Sequence, residues 1–394
     1  MLPFEEALQL VKQASQPLAT ESIAIHDAFG RILAQDIVAD RNYPPFNRAA
    51  MDGYALKIED AQDGITLNVI GELHAGHTTD AVIRQGECLK IMTGSATPPS
   101  ADLIIRVEDT HQEGNQVTLS FPTPARKGQN LAIAGEDVKQ AQKIVSKGTR
   151  CTHDILGILA VTGHASISVY KPPTVAIIST GDELKPVGSP VEPHQIRNSN
   201  EFTLKGLLGN LGISPAFVTH TPDTKAAIEQ AILIGLQEDI LILSGGVSMG
   251  DADYVPQILK KVGVKQVFHR TAIKPGKPIW FGKQADTGTA VFGLPGNPLS
   301  CQVTFKLFIE VYLAASYGKS ADWFTLSLAQ DKSKKHPLDE FFVCSLNEIG
   351  QVVPKKYKGS GDITASVGTH GIAHHPAQEK ELKKGDQIRF MFWK

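Results

Sequence analysis

Cysteine is scarce and dispersed in this sequence. Cys88, Cys151, Cys301 and Cys344 stand far apart, with no Cys-x-x-Cys pair. That pattern excludes a zinc ribbon and a disulfide framework. Long apolar runs are missing too. The longest stretch, residues 231–243, is broken by Gln237, Glu238 and Asp239, so it does not span a bilayer. There is no excess of either charge. A formal net charge of −2 over 394 residues argues against a general nucleic-acid or membrane surface, so basic residues matter locally. The opening residues Met-Leu-Pro-Phe-Glu-Glu lack the basic region and apolar core of a secretory signal. A soluble cytoplasmic protein is the expectation.

What is present suits several cores. The chain is too long for one ordinary domain, and at ~100–200 residues per domain two to four units are expected. A hydrophobic content of 42% supports full cores, and 35 Gly with 23 Pro implies many turns.

The organising stretch is residues 239–254, Asp-Ile-Leu-Ile-Leu-Ser-Gly-Gly-Val-Ser-Met-Gly-Asp-Ala-Asp-Tyr. The branched run 240–243 reads as a buried parallel strand. Gly245, Gly246 and Gly250 allow close backbone approach to a ligand, Ser244 and Ser248 add hydroxyl donors, and residues 254–262 read as a short helix. A strand, a glycine loop and a helix start make an anion site. Asp251 and Asp253 would repel phosphate, so a divalent cation between them is inferred. Mg2+ suits one or two carboxylates plus phosphate oxygens. Taken alone, the loop reads first as a glycine-rich turn with Asp251 capping the next helix, so the anion site depends on the rest of the chain.

Along the chain, Phe4, Ala7, Leu8 and Val11 predict an amphipathic helix over residues 3–15, and a second helix is expected over 28–34. From residue 37 the pattern changes to short strands, at 67–70, 88–92, 103–107 and 116–119, an all-β pattern. Met51-Asp-Gly-Tyr and Ile91-Met-Thr-Gly-Ser interrupt it; on pattern alone Asp52-Gly53 and Thr93-Gly94 are turn signals. A helix is expected over 152–161, and Lys171-Pro172-Pro173 reads as a linker. From residue 174 strands (175–179, 216–219, 240–243, 266–269, 279–281, 290–292) alternate with helices (200–211, 224–236, 254–262, 299–315). This β–α–β rhythm predicts a mostly parallel sheet covered on both faces. Ligands bind beyond the carboxyl ends of such strands.

Three polar loops fall at those ends: Ser179-Thr-Gly-Asp-Glu-Leu, the 244–253 loop, and Gly293-Leu-Pro-Gly-Asn-Pro-Leu-Ser. Ile273-Lys-Pro-Gly-Lys-Pro precedes the fifth strand, and its prolines present Lys274 and Lys277 as fixed ammonium donors. Two lysines alone are usually a solvated face; beside a carboxylate–glycine site they read as an oxyanion clamp. Residues 321–394 form a last β-rich unit whose polar cluster is Lys355-Lys-Tyr-Lys-Gly-Ser-Gly-Asp. His374 and His375 adjoin on a strand and point to opposite faces, which argues against a shared metal site.

Together, Pro45-Phe-Asn-Arg-Ala-Ala-Met-Asp-Gly-Tyr-Ala, Ile91-Met-Thr-Gly, Ser179-Thr-Gly-Asp-Glu-Leu, Gly245-Gly-Val-Ser-Met-Gly-Asp-Ala-Asp, Lys274-Pro-Gly-Lys-Pro and Leu294-Pro-Gly-Asn-Pro-Leu-Ser closely resemble the molybdopterin molybdenumtransferase (MoeA) family, to which the gephyrin E domain is similar. The resemblance implies a multi-domain α/β plus β protein. A discontinuous α+β subdomain (1–40 and 135–170) carries an inserted β-rich subdomain (41–134). A three-layer α/β/α domain (171–320) and a small C-terminal β-barrel (321–394) follow. It further implies a homodimer whose site is shared between subunits, with a contact to the molybdopterin adenylyltransferase among its partners.

The implied reaction inserts molybdate into adenylated molybdopterin and releases AMP. The resemblance assigns Gly245, Gly246 and Ser248 to the pyrophosphate and Asp251 and Asp253 to magnesium. Asp182 and Glu183, in the Thr180-Gly181 loop, go to the pterin or the nucleotide, a choice left open. Lys274, Lys277 and Ser300 go to molybdate, and Pro295, Gly296 and Asn297 count among the substrate-binding residues. Asp52, Thr93 and Asp137 are assigned to the partner chain's site. Asp223 reads better as a helix cap than as a site residue. Two departures stand out: Asn47 occupies a position where the family often has Asp, and no arginine lies between Arg270 and Arg389. Lys355, Lys356 or Lys358 is the available substitute, without a guanidinium's bidentate geometry. The rival readings are a molybdopterin adenylyltransferase and a non-catalytic scaffold. Tungstate, a dianion of similar size and shape, is left open beside molybdate.

Overall fold

Short apolar runs bury both faces of a strand, and three of them, at residues 175–180, 240–244 and 290–294, form the middle of the central sheet here. Its strands are β1 (Val175–Thr180), β2 (Phe217–Thr221), β3 (Ile240–Ser244), β4 (Val264–His269), β5 (Trp280–Gln284) and β6 (Ala290–Leu294). The computed structural model describes residues 1–121, 123–247 and 254–394, and in it these strands lie in the order β2-β1-β3-β6-β5-β4. The pairs β1–β2, β1–β3 and β3–β6 are parallel; β5 pairs antiparallel with both β6 and β4. The reversal has a local cause: only residues 285–289 separate β5 from β6, too few for a parallel crossover.

Two apolar layers sandwich the sheet. On one face Val175, Ile177, Ile240, Ile242 and Phe292 pack with α1 (Phe4–Ala14), α2 (Ser199–Asn210), α5 (Pro298–Thr304) and α6 (Glu310–Ser316). On the other, Ala176, Ile178, Leu241 and Leu243 meet α3 (Lys225–Gly235) and α4 (Val255–Lys261). A π-helical turn, Phe305–Ile309, joins α5 to α6 within the expected 299–315 helix. In α1 the ring of Phe4 lies edge-on to Phe341, at 4.7 Å between centroids. This helix therefore belongs to a core shared with the C-terminal strands.

Backbone contacts group Met1–Glu21, Gly30–Ala34 and Val169–Lys394 as one unit, and Ser22–Phe29 with Gln35–Ser168 as the other. In the first unit the C-terminal sheet runs Ile273–Lys274, Asp339–Leu346, Gly371–His375, Gln387–Phe392, Phe324–Ser327, with Val352–Pro354 pairing Asp339–Leu346. A parallel bridge, Leu328–Val352, turns this path back on itself. The first strand carries Lys274, hydrogen-bonded in register with Glu340, so this sheet holds the lysine loop. His374 and His375 take separate partners, Asp339 and the Glu379 carbonyl, as adjacent strand residues must.

The second unit is built on a six-stranded sheet ordered Leu103–Arg106, Gly53–Leu56, Glu87–Ile91, Thr66–Leu73, Gln116–Leu119, Thr110–Glu113. Gly53 stands directly opposite Ile91. The expected turn role of this glycine is corrected: it opens a buried strand, where a Cβ would lie 2.0 Å from the Ile105 carbonyl oxygen. The helix expected over 28–34 is absent. A 3-10 turn at Ile25–Asp27 ends in Gly30 at φ +77°, and Leu33 bridges Val169 in extended form. Asp223 is not a cap either. Thr224 caps α3 through its hydroxyl, while the Asp223 N–H donates to Asp182.

Candidate active site

Register brings the polar loops together. Ser179 pairs with Ser244, and Ser244 with Leu294, so β1, β3 and β6 end in one row. The reversed strand β5 begins there, with Trp280 opposite Gly293. Loop 274–279 therefore lies at the edge where loops 181–183, 245–247 and 295–300 emerge.

Gly245 and Gly246 sit at φ +94° and +64°, conformations that disfavour a side chain. A Cβ on Gly245 would lie 2.7 Å from the Thr180 carbonyl oxygen, and one on Gly246 2.8 Å from the Thr180 hydroxyl. The turn is thus pressed onto the end of β1. His269 holds it from β4, through Nε2 2.9 Å from the Val247 carbonyl oxygen. Ser248, Asp251 and Asp253 lie outside the described residues. Gly181 continues from Thr180, with its carbonyl 2.8 Å from His220 Nε2. The Glu183 carboxylate folds over it, Oε2 lying 2.6 Å from where a Gly181 Cβ would be. Asp182 accepts from the Asp223 N–H at 3.0 Å.

Buried polar atoms normally find partners. Four at this edge have none among the described residues: Ser179 Oγ, Thr180 Oγ1, Thr221 Oγ1 and Asn200 Oδ1. The Asn200 amide donates to Ser244 Oγ at 2.9 Å and to the Gly296 carbonyl at 2.8 Å, joining the glycine turn to the next loop. A Cβ on Gly296 would lie 3.8 Å from Gly245 Cα, so the two loops touch.

Beyond Gly296 lies a cavity of about 280 Å³, lined by Lys274, Lys277, Pro295, Asn297 and Ser300 among others. The three residues expected to hold molybdate, Lys274, Lys277 and Ser300, therefore line one cavity, with Pro295 and Asn297 beside them. The C-terminal loop closes the cavity with Tyr357, Gly359 and Ser360, and none of the expected lysine substitutes lines it. Ser360 accepts from the Asn297 amide at 2.9 Å, and its carbonyl accepts from the Leu299 N–H at the start of α5. Burial pushes the Tyr357 phenol up to about 12, so it is a neutral hydroxyl at physiological pH. The expectation for Lys355 is corrected: its ammonium ties the loop, donating to the carbonyls of Thr364 and Val367 at 2.8 and 2.6 Å.

In the other unit Asp52 and Thr93 meet because Gly53 and Ile91 are paired. The Thr93 N–H and hydroxyl donate to Asp52 Oδ1 at 2.7 and 2.6 Å. These two donors, hydroxyl first, hold the Asp52 carboxyl below the usual range. Asp137 is exposed, with its N–H on the Tyr43 carbonyl. Asn47 is a tie: its Oδ1 accepts from the Ala134 N–H at 2.9 Å, a bond that an aspartate would make equally. Asn200, Tyr357, Ser360 and His220 escaped sequence reasoning. Ser360 had a signal, the one polar cluster of the last unit; Asn200 read only as a helix start.

Comparison with known proteins divides the chain in two along the sequence. Residues 2–163 match the family described as "MoeA N-terminal region (domain I and II)", and residues 176–315 the "Probable molybdopterin binding domain". A molybdopterin molybdenumtransferase from Haemophilus influenzae is 36% identical over 323 residues, covering 81% of this chain and 78% of its own. One from Synechococcus elongatus is 33% identical over 401 residues, covering 98% of each chain. The crystal structure of the molybdopterin biosynthesis moeA protein from Pyrococcus horikoshii OT3 superposes with a TM-score of 0.85 at 28% identity, each chain fully covered.

Proposed function

Because this chain belongs to the MoeA family of molybdopterin molybdenumtransferases, transferases of molybdenum cofactor biosynthesis, we propose that it inserts molybdate into adenylated molybdopterin with release of AMP. The observation that carries the reading is the joined pair of anion sites. A glycine turn with unpartnered hydroxyls touches, at Gly296, a cavity lined by two lysines and the start of α5. One site suits a phosphoanhydride and the other a tetrahedral oxyanion, side by side.

In this reading Gly245 and Gly246 let the pyrophosphate approach the backbone, and the hydroxyls of Thr180 and its register partner Thr221, on the Gly246 side of the sheet, donate to its oxygens. Lys274 and Lys277 hold molybdate as point charges, while Ser300 and Ser360 orient it with neutral donors. Tyr357 excludes water from the inner wall. Glu183 and Asp182 orient the pterin or the nucleotide. Magnesium fits this reading, because the described cradle presents only neutral donors to phosphate and leaves its charge for a cation to balance. Asp251 and Asp253 would hold the ion together with phosphate oxygens. Bound there, magnesium supplies charge withdrawal from the phosphoanhydride. Asp52, Thr93 and Asp137 complete the site of the partner subunit in a homodimer.

The test combines the protein with adenylated molybdopterin, molybdate and Mg2+. AMP release is expected, and it is lost in Asp251→Ala and Asp253→Ala proteins that keep wild-type circular dichroism. Net adenylation of molybdopterin from ATP would instead mark an adenylyltransferase. Unchanged turnover in both variants would sink the assignment.

A further inference from the structure

The loop before Asp52 exposes what a folded protein usually hides. Phe46 is 45% exposed and Met51 44% exposed, flanking an arginine. The Arg48 guanidinium makes no hydrogen bond or ion pair with any described residue, although the arginines at 31, 106 and 389 each hold a carboxylate. An exposed ring beside an unpaired guanidinium needs a reason, because both are costly to order in water.

The loop is nevertheless fixed. The Asn47 carbonyl accepts from the Thr97 N–H at 2.8 Å, and Asn47 Oδ1 from the Ala134 N–H. The Ala49 N–H donates to the Ser95 carbonyl at 3.0 Å and the Ala50 N–H to the Asn130 carbonyl at 2.9 Å. Arg48 and Ala49 pair with Ala132 and Leu131. Ala49 is fully buried, while Arg48 is half-buried and Ala50 exposed, so the strand turns its arginine away from the core. The loop ends at Asp52, locked by two bonds from Thr93. A rigid loop loses little further freedom when a ligand settles on it.

We propose that Phe46 and Arg48 form a substrate-holding platform, the phenyl ring stacking on a flat nitrogen heterocycle and the guanidinium pairing with its attached phosphate. This inference rests on the reading above, in which Asp52 and Thr93 serve the transfer reaction. Charge decides the occupant. A purely apolar partner would leave the guanidinium unsatisfied, and a free oxyanion would leave the ring exposed. A heterocycle carrying a phosphate uses both. Adenylated molybdopterin offers that combination twice, in its adenylate half and in its pterin half.

Steady-state kinetics with full-length protein separate the possibilities. Stacking of a base on an aromatic side chain contributes ~1–3 kcal/mol, so Phe46→Ala is expected to raise KM for adenylated molybdopterin about tenfold or more. The KM for molybdate and kcat stay near wild type, and Phe46→Trp restores the lost affinity. Arg48→Ala is expected to act in the same direction, with a reduced salt dependence of KM. The Ki of AMP as competitor identifies the ring. A matching rise in Phe46→Ala assigns the platform to adenine, and an unchanged Ki together with a raised KM assigns it to the pterin. A wild-type KM in Phe46→Ala overturns the platform. So does a change of sedimentation coefficient in place of a change in KM, which would make the patch a subunit contact. Absence of AMP release in the wild-type protein would defeat the underlying reading instead, a result distinct from a failure of these variants alone.

Discussion

At Gly245 the missing side chain is a requirement of position. The residue sits at φ +94° with the Thr180 carbonyl oxygen 2.7 Å from any added Cβ. Gly245→Ala therefore combines backbone strain with a clash against main chain. A loss of roughly 1–3 kcal/mol in stability is expected, measurable by urea unfolding. AMP release should fall further than stability explains, because the cradle is displaced. His375 supplies a second expectation at this scale. It is fully buried, its Nε2 lies 3.0 Å from the Glu379 carbonyl, and Nδ1 has no hydrogen-bond partner. Burial, with Lys334 and Lys332 adding to it against the opposing Glu340, pushes its pKa down to about 4. The unfolded chain takes up a proton as pH falls through about 6.5, while the folded chain does not until about 4. Stability is therefore untouched above that window and declines through it, by roughly 3 kcal/mol in all. Urea midpoints at pH 7, 6 and 5 check the slope; a flat profile would contradict it, and His375→Asn should flatten it.

Loop 355–367 is the element that adds a second wall to the cavity beside the lysine pair. Lys355 bonds two of its carbonyls, and Asp362 accepts from the N–H groups of Lys358 and Thr364, donors that draw its carboxyl down to about 2. Tyr357 and Ser360 stand between these ties. Replacing Lys355 with Met removes the ammonium and leaves the cavity wall's own residues in place. Losing ~1 kcal/mol of loop order is expected to raise KM for molybdate about fivefold, with kcat and the KM for adenylated molybdopterin unchanged. An unchanged molybdate KM would show that the loop does not depend on this tie. The same element explains why lysines 355, 356 and 358 looked like substitutes for an arginine. Their charge is visible in sequence, whereas the carbonyls that engage Lys355 are brought to it only by the fold.

For the molecule as a whole, the proposed sharing of a site between subunits has a direct consequence. Asp52→Ala and Asp251→Ala proteins are each expected to be inactive as homodimers. Subunit exchange between them puts both lesions on one site of the heterodimer and leaves the other intact. With half of the dimers mixed, about a quarter of wild-type AMP release should return. No recovery, with mixed dimers verified by mass, would mean that each chain builds its own site.

Much of this was legible beforehand because it depends on neighbours in sequence. The 240–243 run had to be a strand whatever surrounded it, and the helix at Phe4–Ala14 declares its buried face in four residues. The polar loops after β1, β3 and β6 were placed at one edge by alternation alone. Long-range closeness was hidden. Asp52 and Thr93 read as separate turns until the pairing of Gly53 with Ile91 joined them. Asn200 became a strut between two loops only through the packing of α2. The reversal of β5 was set by a short connection, and the reversal carries the lysine loop to the ligand edge. Sequence by itself determined most of the elements, though not the segment 28–34 or the strand opened by Gly53, and the chemical types gathered at their ends, since propensity and periodicity act over a few residues. Only tertiary structure decided which of those groups touch, which are spent on holding loops and which stay unpaired, because hydrogen bonds and burial are settled between residues far apart along the chain.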